Sequence, residues 1–176
     1  NELETEFLNF NIQRLNFDTS DLNTWLPSLN DSQIMVISEA AFSGEIKGDI
    51  KNLFTTVNVE SVIGSSSINA SIDQRDSLFI SAMGTIKELN IGNLIESNLE
   101  SSKLSGEIHL ETNSLNLGSA KGFVHAFLTD GSLNAFNYDT LKLDVNWNKG
   151  FFTPSLLLNS KNANLTTNGN IIISDS

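Results

Sequence analysis

The residues that could carry chemistry are few. The 176-residue chain has two histidines, His109 and His125, and no cysteine. Each histidine lies inside an alternating apolar/polar stretch. Neither has a neighbouring Cys or an acid–His pair with which to bind a metal or move a proton. At 73–76, "DQRD" sets Asp73 and Asp76 about Arg75. Two close carboxylates are what sugar hydrolysis uses, but a charged, solvated turn between strands has the same composition, and the turn is the expected reading. "TDGS" at 129–132 reads as a Gly-bearing turn and lacks the spaced acids of a calcium loop. There is no GxSxG, no Gly-rich phosphate loop and no HExxH. Trp25 and Trp147 read as core anchors rather than ligand platforms. The chain is therefore expected not to be an enzyme and to use no cofactor and no metal.

Composition narrows the partners. A hydrophobic fraction of 39% is that of a folded chain. A net charge of −11, with no local Lys/Arg cluster in the sequence, excludes nucleic acid as the expected partner. It also disfavours electrostatic binding to anionic lipid surfaces. The aromatics are 11 Phe, 2 Trp and 1 Tyr, apolar area with few polar tips. No apolar run approaches the length of a membrane-spanning helix. The chain begins at Asn1 with no signal peptide and is expected to be an excised piece of a longer protein.

Most of the sequence alternates with period 2, the mark of a strand with one dry and one wet face. In "LKLDVNW", Leu141, Leu143, Val145 and Trp147 share one face. "NKG" then makes a hairpin turn at 148–150, and "FFTPSLLLN" returns with Phe152, Leu156 and Leu158 on one side. Pro154 cannot donate to a ladder, so that strand is expected at an edge or with a bulge. "ANLTTNGNIIIS" aligns Ala163, Leu165, Thr167, Gly169, Ile171 and Ile173. Val57 with Val59, Ile68 with Ala70 and Ile72, and Val124 with Ala126 and Leu128 repeat the pattern. Two short amphipathic helices are expected. Leu22, Trp25 and Leu26 form one stripe, capped by Asp18, Thr19 or Ser20 and stopped at Pro27. Ile91, Leu94, Ile95 and Leu99 form the other. Both are expected to plug a sheet.

Two phrases recur in the same order. "IQRLNF" (12–17) returns as "IKELNI" (86–91), and "SGEI" occurs at 43–46 and again at 105–108. A helical stripe stands between the phrases each time. The chain is expected to be a single segment with internal units at roughly 12–85 and 86–176. Each unit would be a dry-on-one-face sheet that buries its face by curling or stacking. That face could be the core of a closed sandwich or barrel, or the lining of an open groove; the residues by themselves leave both open.

The stretches "LNFDTSDLNTWLPSL", "LNIGNLIESNLESSKLSGEI" and "DGSLNAFNYDTLKLDVNWNKGFFTPSLLLNSKNANLTTNGNIIISDS" resemble the β-repeat region of TamB-like translocation and assembly module proteins. The wider relatives are AsmA-like, bridge-like lipid transfer proteins, and the flavour is that of the Bacteroidota branch. The resemblance implies a long, curled, half-open antiparallel β-sheet, a β-taco, with an apolar groove. It implies a periplasmic location, with the parent protein anchored in the inner membrane of a Gram-negative bacterium by a segment not present here. It implies passage of phospholipid acyl chains toward the outer membrane, in support of outer-membrane biogenesis and the cell envelope. The other role it implies is that of a scaffold for inserting outer-membrane β-barrel proteins by strand addition. In either role an outer-membrane Omp85-class partner would dock through regions outside this chain. The alternating positions named above would then line the groove.

Overall fold

The computed structural model describes residues 7–17, 24, 39–92, 101–116, 118–134 and 136–172. Its strands are β1 (Leu8–Leu15), β2 (Ala41–Asp49), β3 (Asn52–Ser61), β4 (Gly64–Asp73), β5 (Phe79–Leu89), β6 (Ser102–Thr112), β7 (Lys121–Leu133), β8 (Phe136–Asn148), β9 (Phe151–Asn159), β10 (Asn164–Asn168) and β11 (Ile171–Ile172). They form one antiparallel sheet in sequence order from β1 to β10, with β11 also on β9. Each strand packs chiefly on its neighbours in that order, and the sheet is not closed into a barrel. Most neighbouring strands are joined by short turns that sit where the sequence has its turn residues, while longer stretches, 16–40 and 90–101, join β1 to β2 and β5 to β6.

Asp49 Oδ1 accepts hydrogen bonds from the backbone N–H of Lys51 and Asn52, which closes the β2–β3 turn. The carboxylate of Asp73 takes the guanidinium and backbone N–H of Arg75 in the β4–β5 turn, so "DQRD" is the charged turn its composition announces. Between β8 and β9, Lys149 and Gly150 both have positive φ, at 52° and 79°. That is the two-residue hairpin geometry that matches the twist of the flanking strands.

Two expectations need correction. "TDGS" is not a turn between strands, because residues 129–132 lie inside β7. Asp130 takes φ 48° there, a local kink that a short polar side chain tolerates. Pro154 is not on the edge strand. It lies in β9, the second strand from the edge, and its carbonyl accepts from Gly169 N–H. Its missing donor therefore faces the outermost strand, and it does so at the point where that strand breaks into β10 and β11.

The recurring phrases occupy corresponding hairpins. Ile12 pairs with Gly44 and Leu15 with Phe42; Ile86 pairs with Gly106 and Leu89 with Leu104. In both cases the register shifts between the two pairs. Residues three apart in a regular strand face opposite sides, and one extra residue brings both to the same side. In β5 the extra residue is Glu88, with φ 54°. Gly44 and Gly106 have φ of 157° and 150°, and a Cβ on either would lie about 2 Å from a carbonyl of the next strand, that of Thr56 or Phe127. The "SG" of the repeated phrase thus marks a close approach of two backbones.

The predicted helix residues Leu22, Trp25, Leu26, Leu94, Ile95 and Leu99 lie outside the described residues. Thr24 is helical. Ile91 is described and packs, half-buried, against the core cluster below.

Candidate functional site

In an antiparallel pair, directly opposed residues share a face, so the registers can be followed from strand to strand. Doing so gives four rows on one face of the sheet. The first runs Leu8, Gly48, Leu53, Ile72, Ile80, Thr112, Gly122, Trp147, Phe152 and Ile171. The second runs Phe10, Ile46, Thr55, Ala70, Ala82, Leu110, Val124, Val145, Pro154 and Gly169. The third runs Ile12, Gly44, Val57, Ile68, Gly84, Ile108, Ala126, Leu143, Leu156 and Thr167. The fourth runs Leu15, Phe42, Val59, Ser66, Ile86, Gly106, Leu128, Leu141, Leu158 and Leu165. The described alternating positions singled out in the sequence, Ala163 excepted, fall in these rows: Val57, Val59, Ile68, Ala70, Ile72, Val124, Ala126, Leu128, Leu141, Leu143, Val145, Trp147, Phe152, Leu156, Leu158, Leu165, Thr167, Gly169 and Ile171. Ile173 lies outside the described residues.

The rows contain no charged side chain; their polar members are the hydroxyl residues Thr55, Ser66, Thr112 and Thr167. Nine inter-strand steps of about 4.8 Å make the strip about 43 Å long, and four rows about 7 Å apart make it about 20 Å wide. Its long axis runs across the strands. Residues missed in the sequence, such as Phe42, Ile46, Ile80, Leu104, Ile108 and Leu110, were masked by glycines that break the alternation and by the bulges.

Burial along the strip is uneven. Leu104, Leu128, Tyr138 and Leu141 form a buried cluster, with Ile86, Leu89, Leu133, Leu143, Leu156 and Leu158 packed around it. Trp147 is also buried, in keeping with its reading as an anchor. In the centre, Ile68 and Ile108 stay 37% and 36% exposed, although they are flanked on both sides by strands. The outer strands are more open still, with Phe10 and Ile171 both at 55%.

The opposite face carries polar and charged residues with Phe54, Phe79, Phe123, Phe127 and Phe151 set among them. Met83, His109, His125 and Asp144 lie in one cross-strand row, and Thr85, Glu107, Phe127 and Lys142 in the next. Between them is a shallow depression of 410 Å³. His125 Nδ1 bonds Asp144, and His109 Nε2 lies 3.2 Å from Glu111. The Phe123 ring meets both imidazoles, at 4.9 and 4.5 Å. These contacts hold the rings in place along strands. Among the described residues no group of three or more His, Asp or Glu is placed to hold a metal ion.

The shifted titrations belong to the rims and the core. The Arg75 guanidinium holds Asp73 down at about 2. Lys103, bonded to Glu88, lowers that carboxyl. Burial pushes the Tyr138 hydroxyl above the ordinary tyrosine value. The extended feature of the molecule is therefore an apolar strip suited to contact by area rather than to bond-making. Comparison with protein-family models, with curated proteins and with solved structures finds no match.

Proposed function

We propose that this chain is a segment of a lipid conduit of the TamB-like kind. In this reading the sheet is one stretch of a longer, curled, half-open β-groove made of repeated multi-strand units. It stands in the periplasm, in a parent protein anchored in the inner membrane, and carries phospholipid acyl chains toward the outer membrane. The observation that supports it is the uncharged apolar strip, continuous over ten strands with its long axis across them. Each methylene moved from water onto such a strip gains about 0.8 kcal/mol if fully covered, so acyl chains are held by area without specific hydrogen bonds. The recurring β1–β2 and β5–β6 hairpins support a repeating design, since each adds a further length of the same one-sided sheet.

The test is native mass spectrometry of the purified protein, followed by lipid extraction. Val145→Glu places a charge in the strip, and Asn146→Glu places one on the other face of the same strand. Bound phospholipid lost with the first variant and kept with the second is the expected result. Equal lipid content in both would remove the mechanism.

A second reading has its own support. The outermost strand, β10 with β11, carries no charge and exposes Leu165, Ile171 and Ile172. Edges that are not meant to pair usually carry Lys, Pro or inward charges. The chain would then act as a scaffold that receives strands of outer-membrane β-barrel proteins by addition to this edge. Gly169 N–H points at β9, so in an antiparallel ladder the Thr166 N–H points outward. Thr166→Pro would block the edge without removing a bond to β9. Saturable binding of an alternating barrel-strand peptide, lost in this variant, is the outcome that would favour the scaffold.

A further inference from the structure

The sheet has two edges. Among the described residues β1 pairs only with β2, and β10 and β11 pair only with β9. Neither edge has the charges or prolines that keep an edge from pairing: β1 carries a single charged residue, Arg14, and β10 and β11 carry none. Both end the rows in exposed apolar side chains, Leu8 and Phe10 on one edge, Leu165 and Ile171 on the other. The internal repeat supplies a template for the outer side of β1. In the second unit β5 stands where β1 stands in the first, with the same register shift before the same "SGEI". The far side of β5 is occupied: β4 pairs with it antiparallel through nine residue pairs, Ser65–Asp73 against Phe79–Lys87.

The β10 edge fits the corresponding side of β1. The path from β1 to β10 is ten strands, an even number. A second copy moved along the sheet therefore sets its β1 antiparallel to β10, with both apolar faces on one side. The bonding groups agree. Gln74 N–H donates to Lys51 carbonyl, and alternating the ladder from that pair through β3 and β2 leaves the N–H groups of Asn9 and Asn11 on the outer side of β1. They meet the outward groups of β10, with Asn11 opposite Asn168. The rows then join, Leu8 opposite Ile171 and Phe10 opposite Gly169. A Cβ added at Gly169 meets nothing within 4 Å, so open space on one edge receives a ring that is 55% exposed on the other. The sheet already uses this match inside, where Trp147 lies opposite Gly122.

We propose that copies of this chain join head to tail, β10 of one to β1 of the next, and carry the sheet and its apolar strip across copies. The contact is heterologous, so it continues to further copies unless the curl of the sheet closes it. It does not rest on the lipid reading, and it competes with barrel strands for the β10 edge. Each copy carries a net charge of −11, so repulsion opposes the assembly and salt relieves it.

Sedimentation velocity of the full chain tests this. The mean mass is expected to rise with concentration past that of a dimer. It should rise further between about 0.05 and 0.5 M NaCl, where the Debye length shrinks about threefold. Asn11→Pro and Thr166→Pro each block one edge and keep the bonds to β2 and β9. Each alone should stay monomeric, and an equimolar mixture should form a dimer that grows no further. Gly169→Lys puts a charge into open space without strain and should weaken association about tenfold. A wild-type chain that is monomeric at every concentration would overturn the proposal. An Asn11→Pro variant that still dimerises alone would make the contact β10 to β10, and a Thr166→Pro variant that does so would make it β1 to β1; either overturns the head-to-tail order. Association unchanged in all three variants would place the contact on the apolar face and overturn it too. Should a proline variant lose its strand signal in circular dichroism, Gly169→Lys decides alone, and association unchanged by it overturns the proposal.

Discussion

The two faces of this sheet are made by the same strands, yet they are different surfaces. On one, the side chains that meet across strands are Leu, Ile, Val, Ala and Phe, interrupted by glycines and four small hydroxyl residues. On the other, the row through Thr56, Asn69 and Met83 passes into His109, His125 and Asp144. Adjacent residues such as Val145 and Asn146 belong to opposite worlds. The difference teaches that one-sidedness here is a property of register. A slip of one residue in any strand would turn its apolar set to the wet side. The bulges in the β1–β2 and β5–β6 hairpins act in the same service, since they bring Leu15 and Leu89 to the face that Ile12 and Ile86 already occupy.

The sharpest way to break the comparison is to disturb the register itself. Gly106→Val puts a Cβ about 2 Å from the Phe127 carbonyl and forces β6 away from β7. A loss of about 3 kcal/mol or more is expected, read as a lower urea midpoint, and an unchanged midpoint would mean the close approach is not needed. Next comes a pair of neighbours. Leu141→Asp buries a carboxylate in the cluster with Leu128 and Tyr138 and should cost about 3–5 kcal/mol. Lys142→Asp, on the polar face, should change stability by about 0.5 kcal/mol or less. Similar losses from the two would deny that the faces differ in kind.

Two titrations give smaller effects. Burial raises the Tyr138 pKa, so the unfolded chain gives up this proton first. Its share of stability is intact below about pH 10 and falls as pH rises through the folded value. Comparison with Tyr138→Phe isolates this, and an identical alkaline decline in both would exclude it. On the rim, a carboxyl titration by NMR should place Asp73 at about 2. Arg75→Ala should return it toward the ordinary aspartate range. The contribution is present above that range and is lost as pH falls toward the folded value. An Asp73 that titrates normally would mean the Arg75 contact does not persist in solution.

Much of this was legible in the residues. Val57 with Val59, and Leu141 through Trp147, announce a dry face because a strand turns successive side chains to opposite sides. "NKG" announces its hairpin because Gly favours the required φ. "TDGS" misled because turn residues also serve kinks, and Asp130 makes one inside a long strand. Tyr138 was missed because it stands three residues before Leu141, out of phase with the alternation of Leu141 through Trp147. Pro154 was read as a gap in a ladder at an edge or a bulge, and it lies at neither, since nothing local says whether another strand follows.

The sequence by itself determined that the chain is mainly β, that its strands are dry on one side, and that two phrases mark equivalent places along it. These follow from local rules: period 2, turn chemistry and the missing donor of proline. The tertiary structure alone decided that the strands pair in sequence order into one open sheet, and that the bulges carry Leu15 and Leu89 to the common face. It also decided that Trp147 lies buried over the bare backbone of Gly122. Each of those depends on which backbone lies opposite which, and that is a relation between distant residues that no local pattern contains.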